Sequence, residues 1–130
     1  LQALLALTPF PRQVVAIPVL VWLGFGKGAA LVWLGWWIAA FAQYALARRA
    51  AFDFRFEEVR DRLPPPLRDL PVGHPAFLIA ARWVPGGSHI VNATAGAYGV
   101  SLVRHMTCAA VSIAPRALFF ASVVHGIALL

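Results

Sequence analysis

Residues 28–47 (GAALVWLGWWIAAFAQYALA) form an unbroken run of 20 uncharged residues that ends at Arg48-Arg49. As a helix rising about 1.5 Å per residue, the run is roughly 30 Å long, the thickness of a bilayer's hydrocarbon layer. Trp33, Trp36 and Trp37 lie within it, and the arginine pair supplies an interfacial stop. The whole chain has the same character, with 61% of its 130 residues hydrophobic and 12% charged. Soluble domains sit near about 45–50% and 25%. Five Trp, nine Phe and two Tyr are more aromatic surface than a soluble core this small buries. An ordinary soluble globule and a disordered tail are thereby excluded. Length predicts one domain over 1–130, divided into a first half (1–49), a connector (50–73) and a second half (74–130). The chain begins at Leu1 rather than Met, as a piece of a longer protein would.

A second span is expected near 100–124, but Arg104, Pro115 and Arg116 interrupt it. It should therefore be kinked or line something polar. Two other apolar stretches do not read as simple spans. Residues 1–26 contain Pro9-Phe10-Pro11-Arg12, Pro18 and Gly24-Phe25-Gly26, and residues 74–99 contain Pro75, Arg82, Pro85-Gly86-Gly87, Asn92, Gly96 and Gly99. An interior Gly costs a helix about 1 kcal/mol and an interior Pro about 3, so neither stretch is expected to be one continuous helix. Broken backbone at membrane depth survives only inside protein or along a water-filled cavity. Two re-entrant hairpins meet that condition, with tips near 9–12 and 83–88.

Phe52, Phe56, Val59 and Leu63 recur at i, i+4, i+7 and i+11 with charges between them, up to Pro64-Pro65-Pro66. That spacing predicts an amphipathic helix on the membrane surface. Arg48, Arg49 and the arginines of the connector place it on the cytoplasmic side. The order of Pro/Arg tip, apolar return limb, Gly-aromatic-Gly corner and spanning helix occurs twice. Gly24 corresponds to Gly96 and Gly26 to Gly99, an offset of 72–73 residues. The predicted fold class is thus an all-α integral membrane protein with two re-entrant helical hairpins in inverted repeat. Each hairpin is followed by a transmembrane helix, and an amphipathic surface helix joins the halves. Interrupted segments at matching positions of two halves point to a transporter-type site.

All five carboxylates (Asp53, Glu57, Glu58, Asp61, Asp69) fall between 53 and 69, while seven of the eleven cations lie outside that segment. The net charge of +6 is therefore spread through apolar runs, not gathered into a solvated stripe that would bind nucleic acid. Arg12, Arg82, Arg104 and Arg116 lie within apolar segments. At the bilayer centre each costs roughly 2.5–3.5 kcal/mol on insertion scales. Broken-helix carbonyls, water or a bound anion are the partners to expect, and arginine forks match phosphate bidentately. Snorkelling to an interface is the competing reading, strongest for Arg104 and weakest for Arg82.

Gly86, Gly87 and Ser88 after Pro85 can offer backbone N–H groups to an anionic headgroup, or can simply turn the chain. Asn92 reads first as a structural hydrogen bond between hairpins and second as a substrate contact. Gly24-Phe25-Gly26-Lys27-Gly28 is no phosphate loop, because Val21 stands where the first Gly is required and Gly28 where Ser/Thr is required. Its GxxxG spacing suits close helix packing, which also allows, without requiring, a homo-oligomer. His74, His89, His105 and His125 are spaced by 15, 16 and 20 residues, so no metal site is expected. His89 is the histidine to consider as a proton carrier. Lone Cys108 reads as a buried, inert thiol. No acid lies within the membrane segments to complete a Ser/His/Asp set, so no catalytic residue, no cofactor and no enzymatic activity are expected.

Arg82-Trp83-Val84-Pro85, then Asn92-Ala93-Thr94-Ala95-Gly96, Pro115 and Gly126, resemble the second half of a VTT domain. This is the membrane domain of the SNARE-associated Golgi protein family, which includes the DedA proteins. Pro9-Phe10-Pro11, the Gly24–Gly28 corner and Tyr44-Ala45-Leu46-Ala47-Arg48 are similar to the first half, and the branch resembled is the Golgi/bacterial VTT one more than DedA proper. The resemblance implies paired re-entrant hairpins in a bacterial inner membrane or a eukaryotic endomembrane, and movement of lipids between leaflets. It carries the family arginine onto Arg82, and the hairpin tip and return limb onto Pro85, Asn92 and Gly96. DedA proteins have acidic residues in the first hairpin region where this chain has Arg12-Gln13.

The expectation that follows is a flippase- or scramblase-like carrier of phosphate-bearing lipid headgroups, such as phospholipid or polyprenyl phosphate, in a bacterial inner membrane, with membrane lipids as partners. Its candidate binding residues are Arg82, Arg12, Pro85, Gly86, Gly87, Asn92, Gly96 and Arg116. A secondary transporter of a small anionic solute and a non-transporting membrane scaffold are the alternatives.

Overall fold

A computed structural model of the protein describes residues 13–128, with side chains described for 14–127. Among the described residues every regular element is helical: α1 (Gln13–Asp53), α2 (Phe56–Arg60), α3 (Pro65–Arg68), α4 (Pro75–Ala80), a 3-10 turn (Ala81–Trp83), α5 (Gly87–Ala97) and α6 (Leu102–Ala128). Both α1 and α6 are long and apolar enough to cross a membrane. The expected first tip, with Arg12, lies outside the described residues.

α1 is two limbs. Gly24 (φ 74, ψ 176) breaks its helical path in a backbone region essentially reserved for glycine. In a straight helix, residues eight apart are about 12 Å distant. Here a Cβ on Gly28 would meet the Leu20 backbone at 3.0 Å, so the limb before Gly24 folds back beside the one after it. The bareness of Gly28 permits that approach. The break at Gly24 agrees with the expectation that residues 1–26 hold no continuous helix, although Pro18 itself lies inside helix. One missing N–H bond is tolerated in an apolar helix whose neighbours compensate for it. Gly24→Ala is expected to cost on the order of 1–3 kcal/mol. A Cβ there meets nothing within 4 Å, so the cost is all backbone. Denaturation in mixed micelles measures it, and an unchanged midpoint would mean that the break carries no strain.

By their contacts the residues divide into two units, Leu1–Ala39 with Ala110–Leu130, and Ala40–Ala109. In the first, Ala16, Leu20, Ala29, Val32, Trp36 and Ala39 are buried along α1, and Ile113, Ala117 and Ala121, four apart, along α6. Small residues on both helices let the backbones approach. Trp33 Nε1 donates to the Ala110 carbonyl at 3.1 Å, while Trp36 meets Phe120 and Phe25 meets His125 at ring separations of 6.1 and 6.0 Å. The outer faces are apolar too. Trp22 is 90% exposed and Phe119 71%, a surface suited to lipid rather than water. The second span expected near 100–124 is α6, which runs continuously through Arg104, Pro115 and Arg116.

The second unit is built on Tyr44, Val72, Leu78, Val91, Ala95, Val100 and Cys108. Its connector differs from the single amphipathic helix expected over Phe52–Leu63. α1 carries Phe52 as far as Asp53, the chain turns at Arg55 in a left-handed conformation (φ 50), and α2 is only five residues long. The turn has two visible anchors, an Arg55–Glu58 ion pair at 2.9 Å and the ring of Phe56 set edge-on to Tyr98 at 5.4 Å. One contact is local and the other long-range, and the periodic pattern between them is too short to hold a helix by itself. Pro65 at the first turn then opens α3, as a residue without an N–H can.

Candidate functional site

The tip of the second-half hairpin follows from local chemistry. α4 starts at Pro75, capped by His74, whose ring accepts the Ala76 N–H at 3.2 Å. It tightens into the 3-10 turn and stops at Val84, which is extended (φ −73, ψ 140) as the residue before a proline should be. Gly86 is left-handed (φ 76) and α5 begins at Gly87. A Cβ on Gly87 would collide with the Ala81 carbonyl, so the two limbs of the hairpin touch through this glycine. The Gly87 N–H is committed to the Val84 carbonyl at 2.8 Å and the His89 N–H to the Gly86 carbonyl at 3.1 Å. These two amides turn the chain.

Arg82, on the 3-10 turn, is 1% exposed. Its Nε donates to the Leu78 carbonyl at 2.9 Å, and its Nη2 lies 3.5 Å from His105 Nδ1 on α6. Because arginine only donates, Nδ1 is the acceptor and the ring proton belongs on Nε2. His105 is fully buried and stacks on Tyr44 at 4.9 Å, and the Tyr44 hydroxyl donates to the Val100 carbonyl at 2.5 Å. A cation thus faces a carbonyl at a helix end and the His105 ring, next to a break between helices. The exposed residues beside it are Trp83, Val84, Pro85 and Gly86.

A second polar group lies along α5. Asn92, 1% exposed, donates through Nδ2 to Gln43 Oε1 at 2.6 Å, and Gln43 Nε2 lies 2.8 Å from His89 Nδ1. His89 and Asn92, three apart, share one helical face. The expected interhairpin role of Asn92 becomes a bond to α1. Gln43 was missed from sequence, although an amide in the uncharged 28–47 run was signal enough. Gly96 has a packing role: a Cβ would meet the Tyr44 carbonyl, with Ala47 Cβ at 2.9 Å and Arg48 N at 3.0 Å. Truncating Asn92 and Gln43 to Leu, singly and together, should reveal a coupling of about 0.6–1.7 kcal/mol in a double-mutant cycle on unfolding. Additive losses would mean that the bond contributes nothing.

The remaining candidates sit elsewhere. Arg104 is exposed and donates to the Gly73 carbonyl at 3.1 Å. Arg116 is half-buried on α6, in the first unit. Arg12 lies outside the described residues.

Two long apolar helices, an apolar outer surface and a helical hairpin enclosing a cation define an all-helical membrane protein. Within that class, the VTT-domain family model matches residues 10–126, and the chain belongs to that family. Comparisons with curated proteins and with solved structures returned no match.

Proposed function

We propose that the protein moves phosphate-bearing lipid headgroups across or along the bilayer, with Arg82 as the phosphate ligand. The observation that carries this reading is a buried guanidinium placed directly before the Pro85–Gly87 break. In the resting arrangement its donors face a backbone carbonyl and a ring nitrogen. Both are weaker acceptors than a phosphate oxygen, which forms charge-assisted, bidentate bonds. An arriving headgroup exchanges with them while its tails stay in lipid. Asn92 and Gly96 hold the return limb against α1, and Gly86 and Gly87 form the mouth. No nucleophile–base pair is part of this scheme, and the protein acts as a carrier rather than an enzyme.

The proposal includes the finer fold. Two re-entrant hairpins in inverted repeat agree with the order of elements: an eleven-residue limb (87–97), a corner and a spanning helix in the second half, and a limb, the Gly24 break and a spanning helix in α1. The location proposed is a bacterial inner membrane, in the Golgi/bacterial branch of the family, with the 50–73 connector cytoplasmic. The test is reconstitution of the protein into liposomes carrying a fluorescent phospholipid, followed by dithionite bleaching. Bleaching of both leaflets is expected. Bleaching stalled at the outer-leaflet share in intact proteoliposomes would reject phospholipid movement and leave polyprenyl phosphate, the solute transporter and the scaffold to be separated.

A further inference from the structure

At the cytoplasmic end proposed for α1, a cavity of about 550 Å³ opens between the end of α1, α2 and the corner that follows α5. It is separate from Arg82. Arg48, Arg55 and Arg60 line it, with Phe52, Phe56 and Tyr98 as aromatic walls. Arg55 is spent on Glu58 at 2.9 Å, whereas the guanidiniums of Arg48 and Arg60 have no ion pair or hydrogen bond among the described residues. Glu57 also reaches the wall, which leaves three cations against two acids. Arg48 lies across the bare Gly99, its Nη1 3.0 Å from where a Cβ would stand. The glycine corner is what lets this side chain reach over the cavity.

Depth identifies the ligand. Arg48 directly follows the 20 uncharged residues 28–47, so it stands at the hydrocarbon edge, in the layer of headgroup phosphates. We infer that this cavity is an interfacial binding site for a phosphate-bearing lipid headgroup, held by Arg48 and Arg60, with the start of the tails against exposed Phe52. Basic pockets at this depth recognise such headgroups, and aromatic rings suit a boundary where one side is wet and the other apolar. The inference does not require that lipid be moved.

Native mass spectrometry of the full chain, released from micelles doped with equal phosphatidic acid and a diacylglycerol of the same acyl chains, tests it. Retention of phosphatidic acid over diacylglycerol is expected. Each basic residue near headgroups contributes about fivefold, so R48Q/R60Q should lower the preference by on the order of tenfold or more. The charge-matched R49Q/R62Q, outside the cavity lining, should leave it unchanged. Arg48, Arg49 and Arg62 are exposed and Arg60 is half-buried; Arg49 loses only an exposed pair with Asp53 at 4.0 Å, and an unaltered thermal midpoint checks that the fold is kept. Equal loss in the two double variants would reduce the effect to bulk charge and overturn the site, as would wild-type retention by R48Q/R60Q. Displacement of the lipid by millimolar inorganic phosphate would overturn the lipid assignment in favour of the free anion.

Discussion

Gly87→Ala is expected to destabilise the second-half hairpin strongly, and Gly86→Ala far less. The two glycines are adjacent but constrained differently. Gly86 is left-handed with open space around it (φ 76, nothing within 4 Å), so an alanine there meets only the cost of that conformation, about 1–2 kcal/mol. At Gly87 the new Cβ falls on the Ala81 carbonyl and close to Val84 Cβ. No rotamer relieves a Cβ clash with backbone, so the limbs must separate. Overpacking costs about 1–3 kcal/mol even where side chains adjust, and separation also uncovers buried Leu78, Arg82 and Val91. A loss above roughly 3 kcal/mol is expected for Gly87→Ala, in line with the upper range of such substitutions. Unfolding in mixed micelles checks the order. Gly86→Ala proving the more damaging of the two would show that the limbs are not in contact through residue 87.

Where sequence reasoning succeeded, it relied on local rules. The uncharged 28–47 run, the stop at Val84-Pro85, the glycine start of α5 and the corner before α6 each follow from residues within a few positions of one another. The failures share a different cause. Phe52 to Leu63 carry a helical period, yet the chain turns at Arg55 and Phe56 meets Tyr98 far along the chain. Pro115 and Arg116 lie inside continuous α6, where a helix packed through Ile113, Ala117 and Ala121 absorbs one missing hydrogen bond. Arg82 stood out because a charge in an apolar segment is conspicuous. His105, its neighbour 23 positions away, carried no such mark, because a lone histidine has many roles. Gln43 passed unnoticed inside a segment read only for its length. Long-range pairings of this kind are set by how elements dock, which no local period encodes.

Arg82→Lys should separate the two roles open to this side chain. If Arg82 serves the fold alone, by tying the 3-10 turn to Leu78 and α6, its loss should slow translocation only as far as it unfolds the protein. If it is the phosphate ligand, charge is not enough, because lysine offers a point charge in place of the planar fork. Lysine can still reach one of the two acceptors, so most of the fold is expected to remain. Bidentate recognition is lost, and a charged hydrogen bond of about 1.5–3 kcal/mol converts to a rate lower by roughly 10–150-fold. Arg82→Met keeps the apolar stem and removes the charge, so it should be at least as slow while tolerating burial. The readout is the bleaching rate in liposomes beside the unfolding midpoint of the same preparations. A ligand role requires Lys and Met variants that fold near wild type and translocate slowly. If rate and midpoint fall together in both variants, Arg82 is a structural latch, and the phosphate ligand must be sought among other cations of the chain.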